Sequence, residues 1–409
     1  MSRWWIIGAC TLTGALLTGG CSSGSEETLV PVELPVAAAD GSAMPRLSGG
    51  GDRPLVLSWL EPAADGVALR FATLDASGWG PPRTVREGRN WFVNWADFPS
   101  VAPLSESLWG AHWLVKQPGG PYAYDVMMAI SRDAGDSWSD DIALHDDATP
   151  TEHGFVSLFP WQDGAGAVWL DGRETLTDAG AMTLRAAVVG TDGSVQHPSV
   201  IDDLVCDCCP TAAAVASSGP VAVYRNRTKD EVRDIHVTRA IDGQWEPGRS
   251  VADDGWIIAG CPVNGPAIAA QGDRVVVAWY TAAAGEAKIR LAFSDDSAAS
   301  FHDAIDVASG QVVGRVDVVL VDGGDAIVSW LGTPAAPSGR EIGELRAQRI
   351  SRSSGGEHSH VIARTGTGRP AGFPQMLVDG EHLVFAWTDT RHEVSQVRSA
   401  RVASASIGR

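Results

Sequence analysis

The chain has 409 residues, 44% hydrophobic and 20% charged, with a formal net charge of −19. The composition is that of a globular protein, and so acidic a balance excludes a nucleic-acid backbone as partner, which needs a basic groove. The 46 Gly and 23 Pro provide for many turns.

Residues 1–20 read as a targeting segment. Arg3 gives a positive start, and Trp4 to Leu17 is an apolar stretch too short to be a membrane span. Leu17-Thr-Gly-Gly-Cys21 resembles a bacterial lipobox, with Thr18 where Leu is usual. That resemblance implies lipid on Cys21 and an exported, membrane-anchored lipoprotein of the cell envelope; plain secretion is the rival reading. Ser22 to Glu27 reads as a flexible polar tether. Thr28-Leu-Val-Pro-Val-Glu-Leu-Pro35 follows and belongs to no later repeat. Residues 21–40 are thus expected to hold the tether and a strand that closes the fold behind it. No later segment is apolar enough to span a membrane.

Residues 41–409 read as one repeating body. Seven short apolar runs of β type end in Trp59, Trp113, Trp169, Tyr224, Trp279, Trp330 and Trp387. The steps between these aromatics are 54, 56, 55, 55, 51 and 57 residues. A fixed period of this size means one supersecondary unit, each copy burying its face on its neighbours. About 55 residues suit four short strands with turns. The expected fold is all-β, a seven-bladed β-propeller of four-stranded antiparallel blades. The seventh copy has room for only three strands, and the N-terminal segment is expected to add the fourth and close the ring.

Ser131-Arg-Asp-Ala-Gly-Asp-Ser-Trp138 resembles an Asp-box, and Ser294-Asp-Asp-Ser-Ala-Ala-Ser-Phe301 is a degraded copy. On these motifs the chain resembles the sialidase-like (Asp-box, BNR-repeat) propellers. The resemblance implies an acidic glycan as ligand at the channel mouth, held by arginines, with a Tyr nucleophile, a Glu that activates it and an Asp acid/base. Trp169-Leu-Asp-Gly-Arg173 and Trp387-Thr-Asp-Thr-Arg391 are in register, with Tyr224-Arg-Asn-Arg-Thr228 beside them. Arg173, Arg391 and either Arg225 or Arg227 are the candidate ligand arginines, since a guanidinium fork matches a carboxylate. Tyr280, Tyr224 or Tyr124 is the candidate nucleophile, Glu152 or Glu231 its partner, and Asp97 or Asp171 the acid. The competing reading makes Trp-x-Asp-x-Arg a structural ion pair.

Cys206, Cys208, Cys209 and Cys261 remain once the targeting segment is gone and Cys21 is lipidated. They fall at equivalent places in consecutive repeats and are expected to be close. One reading links Cys261 to one of the other three, with the remaining two joined locally. The other is a soft-metal site for Cu(I) or Zn(II), with His153 as a further ligand. A non-catalytic binding scaffold, or an envelope metal- or redox-handling protein, is therefore the alternative to a glycan hydrolase.

Overall fold

Short runs rich in Val, Ala and Trp, broken by Gly and Asp turns, pair with their sequence neighbours as antiparallel hairpins, the arrangement such β-formers favour on a half-buried pleat. A computed structural model describes Met1, residues 29–178, 180–334, 342–352, Gly356 and residues 358–408. Residues 2–28, which hold the expected lipidation site Cys21, the expected tether and all of the expected targeting segment but Met1, lie outside the described residues.

The strands form seven separate antiparallel sheets; in six the main strands lie side by side in chain order, and in the seventh Val32–Glu33 stands outside Gln396–Ala403. They are the seven blades of a propeller. Their inner strands are Ala43–Gly50, Ser100–Pro103, His153–Trp161, Ala212–Ala216, Ala267–Gln271, Val312–Leu320 and Gln375–Asp379. All seven contribute to the wall of a central channel of about 380 Å³. The ring closes as expected. Val32 and Glu33 pair with Arg401 and Ala400, so the N-terminal segment is the outer strand of blade 7.

Every one of the seven periodic aromatics lies in the second strand of its blade and is 8% exposed or less. Opposite them on the third strands stand Arg70, Met127, Arg185, His236, Arg290, Arg346 and Arg398. The apolar cores lie between blades. One such core joins Val221, Val223 and Val237 of blade 4 to Val275, Val277 and Trp279 of blade 5. Truncating a buried Trp of this kind typically costs about 3–5 kcal/mol.

Three inner strands begin with a bulge, and at each bulge one non-glycine residue takes a positive φ: Met44 (58°), Phe155 (55°) and Arg315 (57°). Each of these residues donates its N–H to a side chain of the preceding blade, respectively Thr388, Asp97 and Asn264. The bulge is thus a clasp across a seam, repeated at three of the seven seams.

The turn at Ser131–Trp138 is held by Asp133, which accepts from the Ser137 N–H and both serine hydroxyls. Asp296 makes the same bonds to Ser300 and Ser294 in the degraded copy. Ala298 there adopts φ 60° where the first turn has Gly135 at φ 81°. Both turns join third to fourth strands, on the outer part of the blades.

Candidate functional site

The loops that lead into the inner strands gather at one mouth of the channel. Two clusters stand there, one of carboxyls and one of cysteines.

The first lies on the seam between blades 2 and 3. Tyr124 opens the third strand of blade 2 and forms a bridge with Glu152, which directly precedes the inner strand of blade 3. Its ring is stacked 3.9 Å from Phe92, and its hydroxyl lies 2.6 Å from Asp97 Oδ2 and 2.9 Å from Glu152 Oε1. The other oxygen of Asp97 accepts the Phe155 N–H of the clasp. A Cβ at residue 154 would collide with Asp97 and the Tyr124 ring, so this approach requires Gly154. Burial pushes Asp97 up to about 7, against the hydrogen bonds from Tyr124 and Phe155. Burial, with the charges of Asp97 and Asp207, likewise lifts Glu152 to about 8, against the Tyr124 hydrogen bond. The geometry suits such a state. One hydroxyl carries one hydrogen and fully satisfies one carboxylate. A proton on the second carboxyl would let that group donate to the phenol oxygen. Asp97 lines a small cavity with Phe98 and Thr211, and Glu152 is the half-buried member of the pair. Trp95, also half-buried, stacks on Phe373 at 5.9 Å with Arg315 over its face.

Two other candidate pairings give way to this one. Tyr280 packs edge-on to Trp256 at 5.7 Å, and among the described residues no carboxylate bonds its hydroxyl. Tyr224 donates to Asp202 at 2.6 Å and is buried. Glu231 is held by Arg227 and Arg233 at 2.6 and 2.7 Å.

The candidate arginines are occupied by the chain itself. Arg173 forks onto Asp171, at 2.8 Å for each bond, and reaches Asp147 at 2.9 Å. Arg391 forks onto Asp389 at 2.9 and 2.6 Å. In blade 3 the same Asp also takes the Trp169 indole N–H, which accounts for the Trp-x-Asp-x-Arg spacing as a local ion pair. Burial works against the charge of Asp171, yet Arg173, His153 and Trp169 hold it below the usual range, so it is no proton donor. Arg225 is 1% exposed and gives its whole fork to the carbonyls of Asn264, Arg233 and Tyr280. Arg227 bonds Glu231 and Asp207.

The cysteines meet on the seam between blades 4 and 5. Cys208 is joined to Cys261, with Cα atoms 6.0 Å apart. Cys206 and Cys209 are free and 1% exposed, their sulfurs 2.7 Å apart. His153 is not with them. Its Nδ1 bonds the Tyr124 carbonyl and its Nε2 faces Asp147 at 3.2 Å, with His145 stacked on its ring at 3.8 Å. A four-thiolate site with His153 is therefore not the arrangement present. Arg233, whose Nη1 lies 3.4 Å from Cys206 Sγ, was not among the sequence candidates. Its backbone N–H bonds the Trp256 carbonyl while its side chain reaches back to Cys206, a contact that no spacing in the sequence marks.

No protein family and no curated protein matches this chain. Among solved structures it is similar to the K499G mutant of the NanB sialidase from Streptococcus pneumoniae, with 11% identity, 93% of this chain and 71% of that one covered, and a TM-score of 0.47. It is also similar to the α-L-arabinofuranosidase Arb93A from Fusarium graminearum, with 12% identity, 76% and 94% covered, and a TM-score of 0.47. A third is a Trypanosoma rangeli sialidase mutant displaying trans-sialidase activity, with 11% identity, 82% and 57% covered, and a TM-score of 0.47. At these identities the likeness is one of fold.

Proposed function

We propose that the protein binds a glycan at this mouth and hydrolyses a glycosidic bond, with Glu152 and Asp97 as the acid–base pair. The observation that carries this reading is the Tyr124 hydroxyl shared between the two carboxyls, which keeps one exchangeable proton in the cluster near neutral pH. Glu152 is the donor to the leaving oxygen, being the more accessible of the two. Tyr124 relays charge between the carboxyls and holds both in place. Phe98, which lines the cavity beside Asp97, offers an apolar ring on which a sugar can stack. The reading does not rest on the arginines, since a substrate carboxylate would have to displace Asp171 or Asp389 to reach them.

Activity then needs the pair singly protonated. It falls below about pH 7 as both carboxyls take up protons, and above about pH 8 as both lose them, the two limbs belonging to the pair as a unit. Glu152→Gln keeps the hydrogen bond to Tyr124 and removes the acid. It should lower kcat on an aryl glycoside by roughly 10²–10⁴-fold, in an assay spanning sialosides and arabinosides. Unchanged turnover in Glu152→Gln would falsify the assignment, and a wild type that neither turns over nor binds any glycan of the panel removes the function.

We further propose export and lipid anchoring at Cys21, supported by Arg3, the apolar stretch to Leu17 and the residues before Cys21. Cys21→Ser should abolish fatty-acid labelling and release the protein from membranes. A wild type recovered unlabelled and free of membranes would sink this.

A further inference from the structure

The four cysteines divide by depth. Cys206 and Cys209 are buried, Cys208 is half-buried and Cys261 is exposed. The sulfurs of Cys206, Cys208 and Cys209 all lie within 4.8 Å of one another. A buried dithiol therefore lies within 4.8 Å of the inner sulfur of a disulfide whose outer cysteine is exposed. No protein or small-molecule partner reaches the dithiol directly, yet the chain itself provides a route to it.

We propose that Cys206, Cys208, Cys209 and Cys261 form a thiol–disulfide relay, with Cys261 as the outer port and Cys206 with Cys209 as the inner store. In the first step the Cys206 thiolate attacks Cys208 Sγ. The Cys206–Cys208 bond forms and the Cys208–Cys261 bond breaks. Cys261 leaves as a thiolate and takes up a proton from solvent. In the second step Cys209 gives up its proton and attacks Cys206 Sγ. The Cys206–Cys209 bond forms, and Cys208 leaves and is protonated. The store is oxidised by two electrons and the port reduced by two, so the exchange needs no outside oxidant. A disulfide in solution, of a small thiol or of another protein, can then reoxidise the port at Cys261, and the reverse sequence carries reducing equivalents outward.

The surroundings favour Cys206 as the attacking sulfur. Arg233 lies 3.4 Å from it and is itself 3% exposed. A guanidinium beside a sulfur stabilises the thiolate. Burial pushes the Cys206 thiol up, but the Cys209 thiol, the Cys208 N–H, Arg225 and Arg233 together bring it down to about 6. Burial and the neighbouring Cys206 push Cys209 the opposite way. This is the asymmetry a relay needs, with one sulfur charged for attack and the other held as a thiol until the mixed disulfide forms.

The test is differential alkylation with peptide mapping across a series of glutathione redox buffers, on full-length protein whose fold is checked by circular dichroism. Cys209→Ser removes the second step. It should accumulate a Cys206–Cys208 link with Cys261 open to alkylation. Cys206→Ser removes the first step and should leave Cys208–Cys261 intact and Cys261 closed at the same potentials. The wild type should populate a Cys206–Cys209 disulfide with Cys208 and Cys261 both alkylated. A Cys209→Ser protein that never shows the Cys206–Cys208 link overturns the relay. So does a wild type that binds one Cu or Zn ion on Cys206 and Cys209 and shows no exchange.

Discussion

Arg225 ends the second strand of blade 4, and its guanidinium makes four hydrogen bonds to three main-chain carbonyls, two of them from blade 5. Trp256 lies 4.9 Å beneath it. Arg225→Ala leaves those oxygens buried without a donor. Hydrogen bonds to a charged group contribute about 1.5–3 kcal/mol each, so the substitution should destabilise the protein by about 3 kcal/mol or more. Arg225→Lys should recover only part of that, since an ammonium has no fork. Urea unfolding reads the difference, and a loss under about 1 kcal/mol would show that the fork is not a seam brace. At this scale the sequence was legible in kind more than in place. Asp97, Glu152 and Tyr124 were all candidates because acids and tyrosines beside lead-in loops are few. Their convergence was hidden, since it depends on the bulge at Phe155 and on Gly154. Arg225 looked like a ligand residue because a sequence does not show three carbonyls turning toward one side chain. Arg173 and Arg391 carried their partners two residues away, in Asp171 and Asp389, and the ion-pair reading was available from that spacing.

The strand that closes the ring is only two residues long, Val32–Glu33, but it is fixed at both ends. Leu34 donates its N–H to the Ser399 carbonyl and buries its side chain, and Arg398 pairs with Glu33 at 3.1 Å. Deleting residues 29–36 exposes the edge of Gln396–Ala403 and removes the Leu34 contact. Burying a Leu is worth about 1.5–3 kcal/mol, and the exposed edge invites pairing between molecules. The deletion should therefore lower the thermal midpoint and promote association, as read by scanning calorimetry and light scattering. An unchanged midpoint in a monodisperse sample would count against the closing strand. Second strands were the most legible elements, because each ends in a large aromatic at a steady interval. Fourth strands were the least, since blade 2 has only Ile142–Ala143 there and two residues carry no period. The repeated bulge left no trace in the sequence. Met44, Phe155 and Arg315 share a backbone conformation and no chemistry.

At the scale of the whole molecule, the seven seams are unequal. Clasps tie blade 7 to 1, blade 2 to 3 and blade 5 to 6. The Cys208–Cys261 bond ties the lead-in loops of blades 4 and 5. Both proposed sites stand on tied seams, so chemistry at either acts on groups whose blades are held in register. The pairing of Val32–Glu33 with Gln396–Ala403 adds a constraint of time. Partners more than 360 residues apart in sequence must find each other, and such distant contacts are slow to form because a long loop must close first. Six blades can assemble while the chain is still being made. The seventh waits for residues near 403. Until then the nascent ring stays open between blades 6 and 1, its outermost strand already delivered and without a partner. Truncation anywhere in the last blade would thus leave an unclosed ring, exposed on both flanking blades.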